Sequence, residues 1–190
     1  MYARIMILLA VVATSCQKST DSPPEISQTI FETNPVFQTV KAGDIDEASG
    51  IADSKLNPGY LWVHEDGGRP NEISLLSHSG SFLKKISIPA AVNKDWEDMA
   101  IASGPVAGVN YIYLADIGNN DLVYPQHCIY RFAEPSLSVN EVSDVDKLNF
   151  EYTDGAHDAD AILVDQATKD IYIIIKNNTI SRVYKLAYPQ

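Results

Sequence analysis

The segment Glu97-Asp-Met-Ala-Ile-Ala102 decides the fold, because related segments occur on either side of it. The other copies are Glu47-Ala-Ser-Gly-Ile-Ala52 and Asp158-Ala-Asp-Ala-Ile-Leu163. Each copy sets an acidic residue four positions before an isoleucine, with Ala or Gly directly before that isoleucine. The starting positions 47, 97 and 158 lie 50 and 61 residues apart. These intervals fall within or near the repeat lengths that are typical of solenoids and propellers.

Each copy of the motif is followed by a short turn and then by an apolar, aromatic-rich run. No segment shows a sustained period of 3.6 residues, and Gly, Pro, Asn and Asp separate the apolar runs, which together indicate an all-β chain. The pattern predicts four strands in the first repeat, four in the second and three in the third. Their approximate ranges are 47–53, 60–64, 71–77 and 81–88; 97–102, 110–115, 127–132 and 147–153; and 158–164, 170–176 and 180–187.

Four antiparallel strands per repeat predict the blade of a β-propeller, whose first strand lines the central channel. We therefore predict a partial β-propeller domain over 30–190, with a closing strand at 30–40. Its predicted blades are 44–89, 95–153 and an incomplete third at 157–190. Closed propellers hold about four to eight blades, so we interpret the chain as the N-terminal portion of a longer ring. The alternative is a short chain that completes its ring by oligomerising.

The N-terminal residues are typical of a targeting segment. Arg4 precedes an apolar run from Ile5 to Ala13 that is too short to span a bilayer, and Cys16 follows shortly after. Residues 1–15 resemble a bacterial lipoprotein signal peptide, which predicts lipidation of Cys16 and a location in the cell envelope. An ordinary secretory signal is the alternative. Residues 16–29, rich in Ser, Thr, Asp, Pro and Gln, predict a flexible tether.

The charge balance limits the classes of partner. The chain of 190 residues carries a formal net charge of −11, which argues against nucleic acid and against charge-driven docking on anionic lipid. We predict membrane contact only through the lipid anchor, and a small molecule, glycan or protein as ligand on the loop face. With Cys16 lipidated, Cys128 stands alone, so no disulfide framework is expected. We expect Cys128 to be a buried thiol.

Acidic residues recur where the predicted inner strands begin. A propeller would bring these carboxylates toward one end of its channel, where they would either take up protons or bind a cation. Calcium suits such a site, because it takes six to eight oxygen ligands in irregular geometry. The alternative is that these acids cap turns or hold neighbouring blades in register. The candidate metal ligands are Glu47, Glu97, Asp98, Asp116, Asp158 and Asp160.

Two histidines lie beside these acids in the sequence. His64 or His157 could act as a general base, with a metal polarising an ester or phosphoester oxygen; alternatively, each simply bonds a nearby acid. The chain contains no Gly-x-Ser-x-Gly, phosphate loop, dinucleotide fingerprint or zinc-ligand spacing. We therefore favour a non-catalytic binding module with a calcium site. The alternative is a metal-dependent hydrolase of an ester, lactone or phosphoester.

Several runs also carry a family resemblance, which covers about residues 40–190. The chain resembles an uncharacterised family of exported bacterial propellers, which is similar to the six-bladed calcium-dependent phosphotriesterase and gluconolactonase superfamily and to esterase-like phytases. The resemblance implies six blades and an acidic calcium site. The chain departs from the family at Glu65-Asp-Gly-Gly68, at Asn119 and at Asp160, where swaps keep oxygen ligands but change the charge. The matching runs are Glu47-Ala-Ser-Gly-Ile51, Asn57-Pro-Gly-Tyr-Leu-Trp-Val-His64, Asp95-Trp-Glu-Asp-Met-Ala100, Tyr113-Leu-Ala-Asp-Ile-Gly-Asn-Asn120, Ile129-Tyr-Arg-Phe-Ala-Glu-Pro135 and Asp154-Gly-Ala-His-Asp-Ala-Asp160.

Overall fold

A computed structural model describes residues 33–177 and 179–190. The chain divides into two units, Met1–Val36 and Phe37–Gln190. Of the first unit only residues 33–36 are described, and they form no helix or strand. The predicted signal peptide, the tether and the lipidated Cys16 lie outside the described residues. Within the described ranges there is no helix of the length and apolarity that a membrane crossing requires.

The second unit is built from strands alone, which confirms the all-β prediction. The described residues hold eleven strands and no helix. Each of the eleven predicted strands is present, with bounds that differ by a few residues at most. The strands are β1 (Ala48–Asp53), β2 (Tyr60–Glu65), β3 (Glu72–Ser77), β4 (Phe82–Ser87), β5 (Trp96–Ser103), β6 (Asn110–Asp116), β7 (His127–Ala133), β8 (Asp146–Phe150), β9 (Ala159–Val164), β10 (Ile171–Ile175) and β11 (Val183–Leu186).

The strands form three antiparallel meanders, one for each copy of the motif. The first sheet has the order β1-β2-β3-β4, the second β5-β6-β7-β8 and the third β9-β10-β11. Every pair of neighbours is consecutive in the chain and antiparallel, as short turns between strands allow. Gly59 and Gly80 take the positive φ angles of +92° and +79° in two of these turns, a conformation that side chains disfavour.

The second sheet is buried on both faces, because it packs between the other two. Alternation along β6 shows this directly: Ile112 and Leu114 join a core with Trp62 of the first sheet. Tyr113 and the alanine after Leu114 join a second core with Ile173 of the third sheet. Successive residues of a strand point to opposite faces, so a strand with both sets buried must lie between two sheets.

The first strands of the three sheets lie side by side. β5 contacts β1 on one side and β9 on the other. The Ser49 hydroxyl donates to the Glu97 carbonyl oxygen over 3.0 Å, and the amide of Ile162 donates to Asp98 Oδ2 over 2.8 Å. Gly50 allows this approach, since a Cβ there would lie 2.9 Å from the Met99 backbone nitrogen in β5. The architecture is therefore propeller-like, with three sheets that do not close a ring.

The predicted closing strand is described only over residues 33–40. These residues form no strand and pair with none of the three sheets. A strand requires backbone pairing with a neighbour, and a closing strand would pair with the last blade of a closed ring, so it stays a prediction.

Candidate metal centre

Three carboxylates come together where β2 ends and β5 begins. Asp66 directly follows β2, Asp95 directly precedes β5, and Glu97 is the second residue of β5. One carboxylate oxygen from each lies within 4.8 Å of the others. We call Asp66, Asp95 and Glu97 the acidic cluster. Asp66 is exposed, while the other two are partly buried, so the cluster is open to solvent on one side.

Two glycines let the backbone close around Asp95. A Cβ on Gly67 would lie 2.5 Å from Asp95 Oδ1, and a Cβ on Gly118 would lie 2.3 Å from Asp95 Oδ2. Real Cβ atoms do not approach an oxygen so closely, so any side chain at either position would displace the carboxylate. The backbone amide of Gly118 also donates to the Asp95 carbonyl oxygen over 3.1 Å. The Asp95 carboxylate is therefore confined between two loops.

Negative charge is concentrated at the cluster. Partial burial raises the pKa of Glu97 to about 7, and the carboxylates of Asp160, Asp95, Asp66 and Asp158 add to that effect. The pKa of Asp95 is raised by burial and then by Asp66, Asp158 and Asp116, with Lys94 opposing. Like charges that cannot separate favour protonation or a bound cation. The electrostatic potential at the cluster therefore favours the binding of a proton or a cation.

Basic side chains do not neutralise the acidic cluster. Over residues 33–177 and 179–190, no lysine, arginine or histidine forms an ion pair with Asp66, Asp95 or Glu97. Carboxylate oxygens are the ligands that hard divalent cations prefer. The cluster could therefore hold a metal ion.

Three of the other predicted ligands lie around the cluster and are engaged with their own neighbours. Asp116 Oδ1 accepts from the Asp95 amide over 2.8 Å. Asp158 Oδ1 accepts from the Asn119 amide over 2.8 Å. Lys176 Nζ lies 3.2 Å from Asp160 Oδ2 and 3.8 Å from Asp158 Oδ2. These acids add charge at the cluster and position its loops.

Two further predicted ligands face other partners. The Arg69 guanidinium binds Glu47 Oε2 at 2.8 Å. Asp98 Oδ1 accepts from its neighbouring amide at Met99, and Oδ2 accepts from Ile162. Asp98 thus joins β5 to β9, which is the register-holding role considered as an alternative for these acids. Of the six predicted ligands, only Glu97 is a member of the acidic cluster.

Asp66 and Asp95 are the members of the acidic cluster that are not among the six predicted ligands. Asp95 lies one residue before a strand, outside the recurring motif, so the repeat pattern does not include it. The available signal was the run Asp95-Trp-Glu-Asp98, which places three acids within four residues. Asp66 accepts from the Gly67 amide over 2.6 Å, as aspartates in turns commonly do. It also contributes an oxygen to the cluster.

The two candidate bases have their ring nitrogens directed elsewhere. His64 is buried, with Nδ1 3.0 Å from the Glu65 carbonyl oxygen and Nε2 against Gly50. Burial lowers the pKa of His64. His157 Nε2 lies 2.9 Å from Asp154 Oδ1 and 3.0 Å from the Tyr184 hydroxyl. Neither imidazole is part of the acidic cluster.

His127 leads to a prediction about pH. Its ring is buried and stacks on Phe150, and neither nitrogen has a hydrogen-bond partner among the described residues. Burial is the main cause that lowers the pKa of His127 to about 4, below the ordinary value near 6.5. Between these values the unfolded chain binds the proton more strongly, so stability falls as pH decreases. We expect the wild type to lose about 1–2 kcal/mol from this group between pH 7 and pH 5.

The variant His127→Phe keeps the stacked ring and removes the titration. Its free energy of unfolding, measured with urea at pH 7 and pH 5, should fall less than that of the wild type over the same interval. His78→Phe is the control, because His78 is an exposed histidine in ion-pair contact with Asp53. An equal pH dependence in the wild type and His127→Phe would contradict the prediction.

The chain was compared with protein-family models, with curated proteins and with solved structures. None of these comparisons gave a match.

Proposed function

We propose that this protein is a lipid-anchored, exported binding module of the β-propeller type that holds a calcium ion in its acidic cluster. The observation that carries the proposal is the convergence of Asp66, Asp95 and Glu97 within 4.8 Å, with no ion-pair partner among the residues that the structure describes. Bringing like charges together costs free energy that a bound divalent cation would recover. The glycines at 67 and 118 support this assignment, because they leave room for Asp95 between two loops.

Calcium fits this donor set better than a transition metal does. The cluster offers oxygen atoms alone, whereas zinc and copper sites commonly use imidazole or thiolate ligands. Calcium also accepts backbone carbonyl oxygens and water, and it tolerates irregular geometry. Three carboxylates that lie on two loops and a strand meet those requirements more readily than the strict octahedron of magnesium.

The fold supports a position for the ion in a larger ring. As the resemblance implies, we propose that the three sheets are successive blades of a six-bladed propeller. β1, β5 and β9 would then line its channel, because the first strand of each blade is the innermost. Glu97 lies near the start of β5, so the cation would sit at one mouth of that channel.

A cleft beside the cluster supports a binding role. It has a volume of about 400 Å³, and its lining residues are Gly67, Gly68, Lys94, Asp95, Asn119, Asn120, Asp121, Val123 and Tyr124. Val123 and Tyr124 are exposed apolar residues in this lining. A ligand in this cleft would meet apolar surface and the cation together, as small-molecule sites commonly combine apolar walls with a few polar groups.

The hydrolase alternative requires a general base next to the ion. His64 is enclosed against Gly50, and His157 is held by Asp154 and Tyr184. No contact of either histidine favours catalysis at the cluster, so we assign binding rather than hydrolysis.

Calcium titration tests the proposal. Purified protein stripped with chelator should show heat on calcium addition and a higher melting temperature. At calcium 100 times above the dissociation constant, the gain in unfolding free energy is about 2.7 kcal/mol. The variant Asp95→Asn should lose both responses, because it removes one of the three charges. Asp121→Asn, which changes an exposed acid of the same cleft, should retain them. Identical melting with calcium and with chelator in the wild type would refute the site.

A further inference from the structure

Among the residues that the structure describes, two sheet faces have no sheet packed against them. The outward face of the first sheet carries Ile51, Leu61, Val63 and Leu76, which the strand register places on one side. Val63 and Leu76 are buried there, beside Val40 and Ile45, and Ile51 is the most exposed of the four. The outward face of the third sheet carries Leu163, Tyr172, Ile174 and Val183. Ile51, Leu163 and Val183 are 59%, 61% and 62% exposed. We call these the first-sheet face and the third-sheet face.

The recurring motif shows what normally covers each face. Its isoleucine packs toward the preceding sheet: Ile101 lies against the core shared with the first sheet, and Ile162 lies in the core shared with the second. Its next residue packs toward the following sheet, as Ala102 does in the core with the third sheet. Ile51 therefore occupies the position that meets a preceding sheet, and Leu163 occupies the position that meets a following one.

The two open faces are consequently the two halves of one kind of interface. The chain makes that interface twice within itself, between the first and second sheets and between the second and third. In each case, the face of one sheet that points toward the next sheet in the chain packs on the face of that next sheet that points back. The third-sheet face is of the first kind, because it would meet a following sheet. The first-sheet face is of the second kind, because it would meet a preceding sheet.

We propose that a second copy of this chain covers these faces, with the third-sheet face of one copy packed on the first-sheet face of the other. This contact would continue the interface that the chain already forms between its own sheets. It is head-to-tail rather than symmetric, so it leads to a ring when the rotation closes. The described parts of two copies hold six sheets, within the range of about four to eight that closed propellers hold.

The surface chemistry is consistent with this occupant. A cleft of about 360 Å³ on the first-sheet face is lined mainly by apolar residues, among them Val40, Ile45 and Ile51. Contiguous exposed apolar surface marks interaction sites in soluble proteins. The net charge of −11 opposes association of two copies, so the association should strengthen as salt rises.

Sedimentation equilibrium on the whole chain tests the proposal over a range of protein and salt concentrations. We expect the wild type to show a mass of two copies or more at micromolar concentration. Ile51→Glu places a charge on the first-sheet face, and Leu163→Glu places a charge on the third-sheet face. Each variant alone should associate on the order of 100-fold more weakly than the wild type. Both side chains are mostly exposed, so circular dichroism should show intact sheets. Val106→Glu, at an exposed loop residue, is the matched control and should behave as the wild type.

Mixing the two variants separates a head-to-tail contact from a symmetric one. The mixture retains one intact pair of faces, so it should form a complex of two chains that neither variant forms alone. A wild type that stays monomeric at 100 µM would overturn the proposal, and so would one variant that still pairs with itself. Asp95→Asn should associate like the wild type. A failure of the proposed association and a failure of the proposed calcium site can therefore be told apart.

Discussion

Replacing Glu134 with alanine should lower the free energy of unfolding by about 3–5 kcal/mol. Glu134 directly follows β7 and is buried. Its Oε1 accepts from the Ser54 hydroxyl, from the Lys55 amide over 3.1 Å and from Trp62 Nε1 over 3.0 Å. Its Oε2 accepts from the Leu56 amide over 3.0 Å. One carboxylate thus joins the second sheet to β2 and to the loop that precedes it.

The size of the effect follows from what alanine leaves behind. Four donors lose their acceptor, and the Trp62 ring is wholly buried in the first core. A buried donor without a partner costs about 1–3 kcal/mol, and more where the lost partner was charged. Domains of this kind are stable by about 5–15 kcal/mol, so this single change removes a large fraction of the total.

Urea unfolding followed by tryptophan fluorescence measures the loss. Glu134→Gln should cost roughly half as much, because the amide keeps one acceptor oxygen and its nitrogen cannot accept. Glu141→Ala, at an exposed glutamate, should stay within about 0.5 kcal/mol of the wild type. If Glu134→Ala unfolded at the same urea concentration as Glu141→Ala, this interpretation of the carboxylate would be wrong.

The contrast between the strands and Glu134 shows what sequence can predict. Strand positions follow from local patterns, such as the alternation in Tyr111-Ile-Tyr-Leu114 bounded by turn residues. All of those strands are present in the structure. Glu134 reads locally as part of a turn with Pro135, whereas its partners lie 72 to 80 residues away. No local pattern carries that information.

In the candidate site, too, local sequence patterns predict some features and miss others. The motif correctly places Glu97 near the start of the first strand of its sheet, and equivalence within the repeat suggests the same role for Glu47 and Asp158. The structure gives each a different partner, because the loops around the three positions differ. Arg69 is available to Glu47, and the Asn119 amide is available to Asp158. The two members of the acidic cluster that are missing from the prediction, Asp66 and Asp95, both lie in loops.

Glu97→Gln should stabilise the protein when no cation is bound and should remove most of its calcium affinity. The pKa of Glu97 is raised to about 7 in the folded state, against an ordinary value near 4.3. The folded state therefore holds the proton more tightly than the unfolded chain does. This group's contribution to stability is lost as pH rises from about 4.3 to 7, and the loss is complete above pH 7.

At pH 8 the ionised Glu97 therefore lowers the unfolding free energy of the cation-free wild type by its full amount. The neutral glutamine of Glu97→Gln does not. Allowing for screening by solvent, we expect Glu97→Gln to gain about 1–2 kcal/mol, or roughly 3–6 °C in melting temperature. The gain should shrink toward pH 5. The comparison at one pH removes the contribution of His127, which both proteins share.

Calcium should reverse the order of the two proteins. Removing one of three carboxylates should weaken calcium binding on the order of 100-fold, because affinity depends strongly on the number of charged ligands. The wild type would then gain stability from millimolar calcium, and Glu97→Gln would gain little. Differential scanning calorimetry with calcium and with chelator measures both effects in one experiment. If Glu97→Gln were more stable than the wild type in chelator but gained as much stability from calcium, the Glu97 charge would be unfavourable without Glu97 being a calcium ligand. If Glu97→Gln were less stable than the wild type in chelator, other contacts would already stabilise the Glu97 charge. Repulsion within the acidic cluster would then not favour binding of a cation.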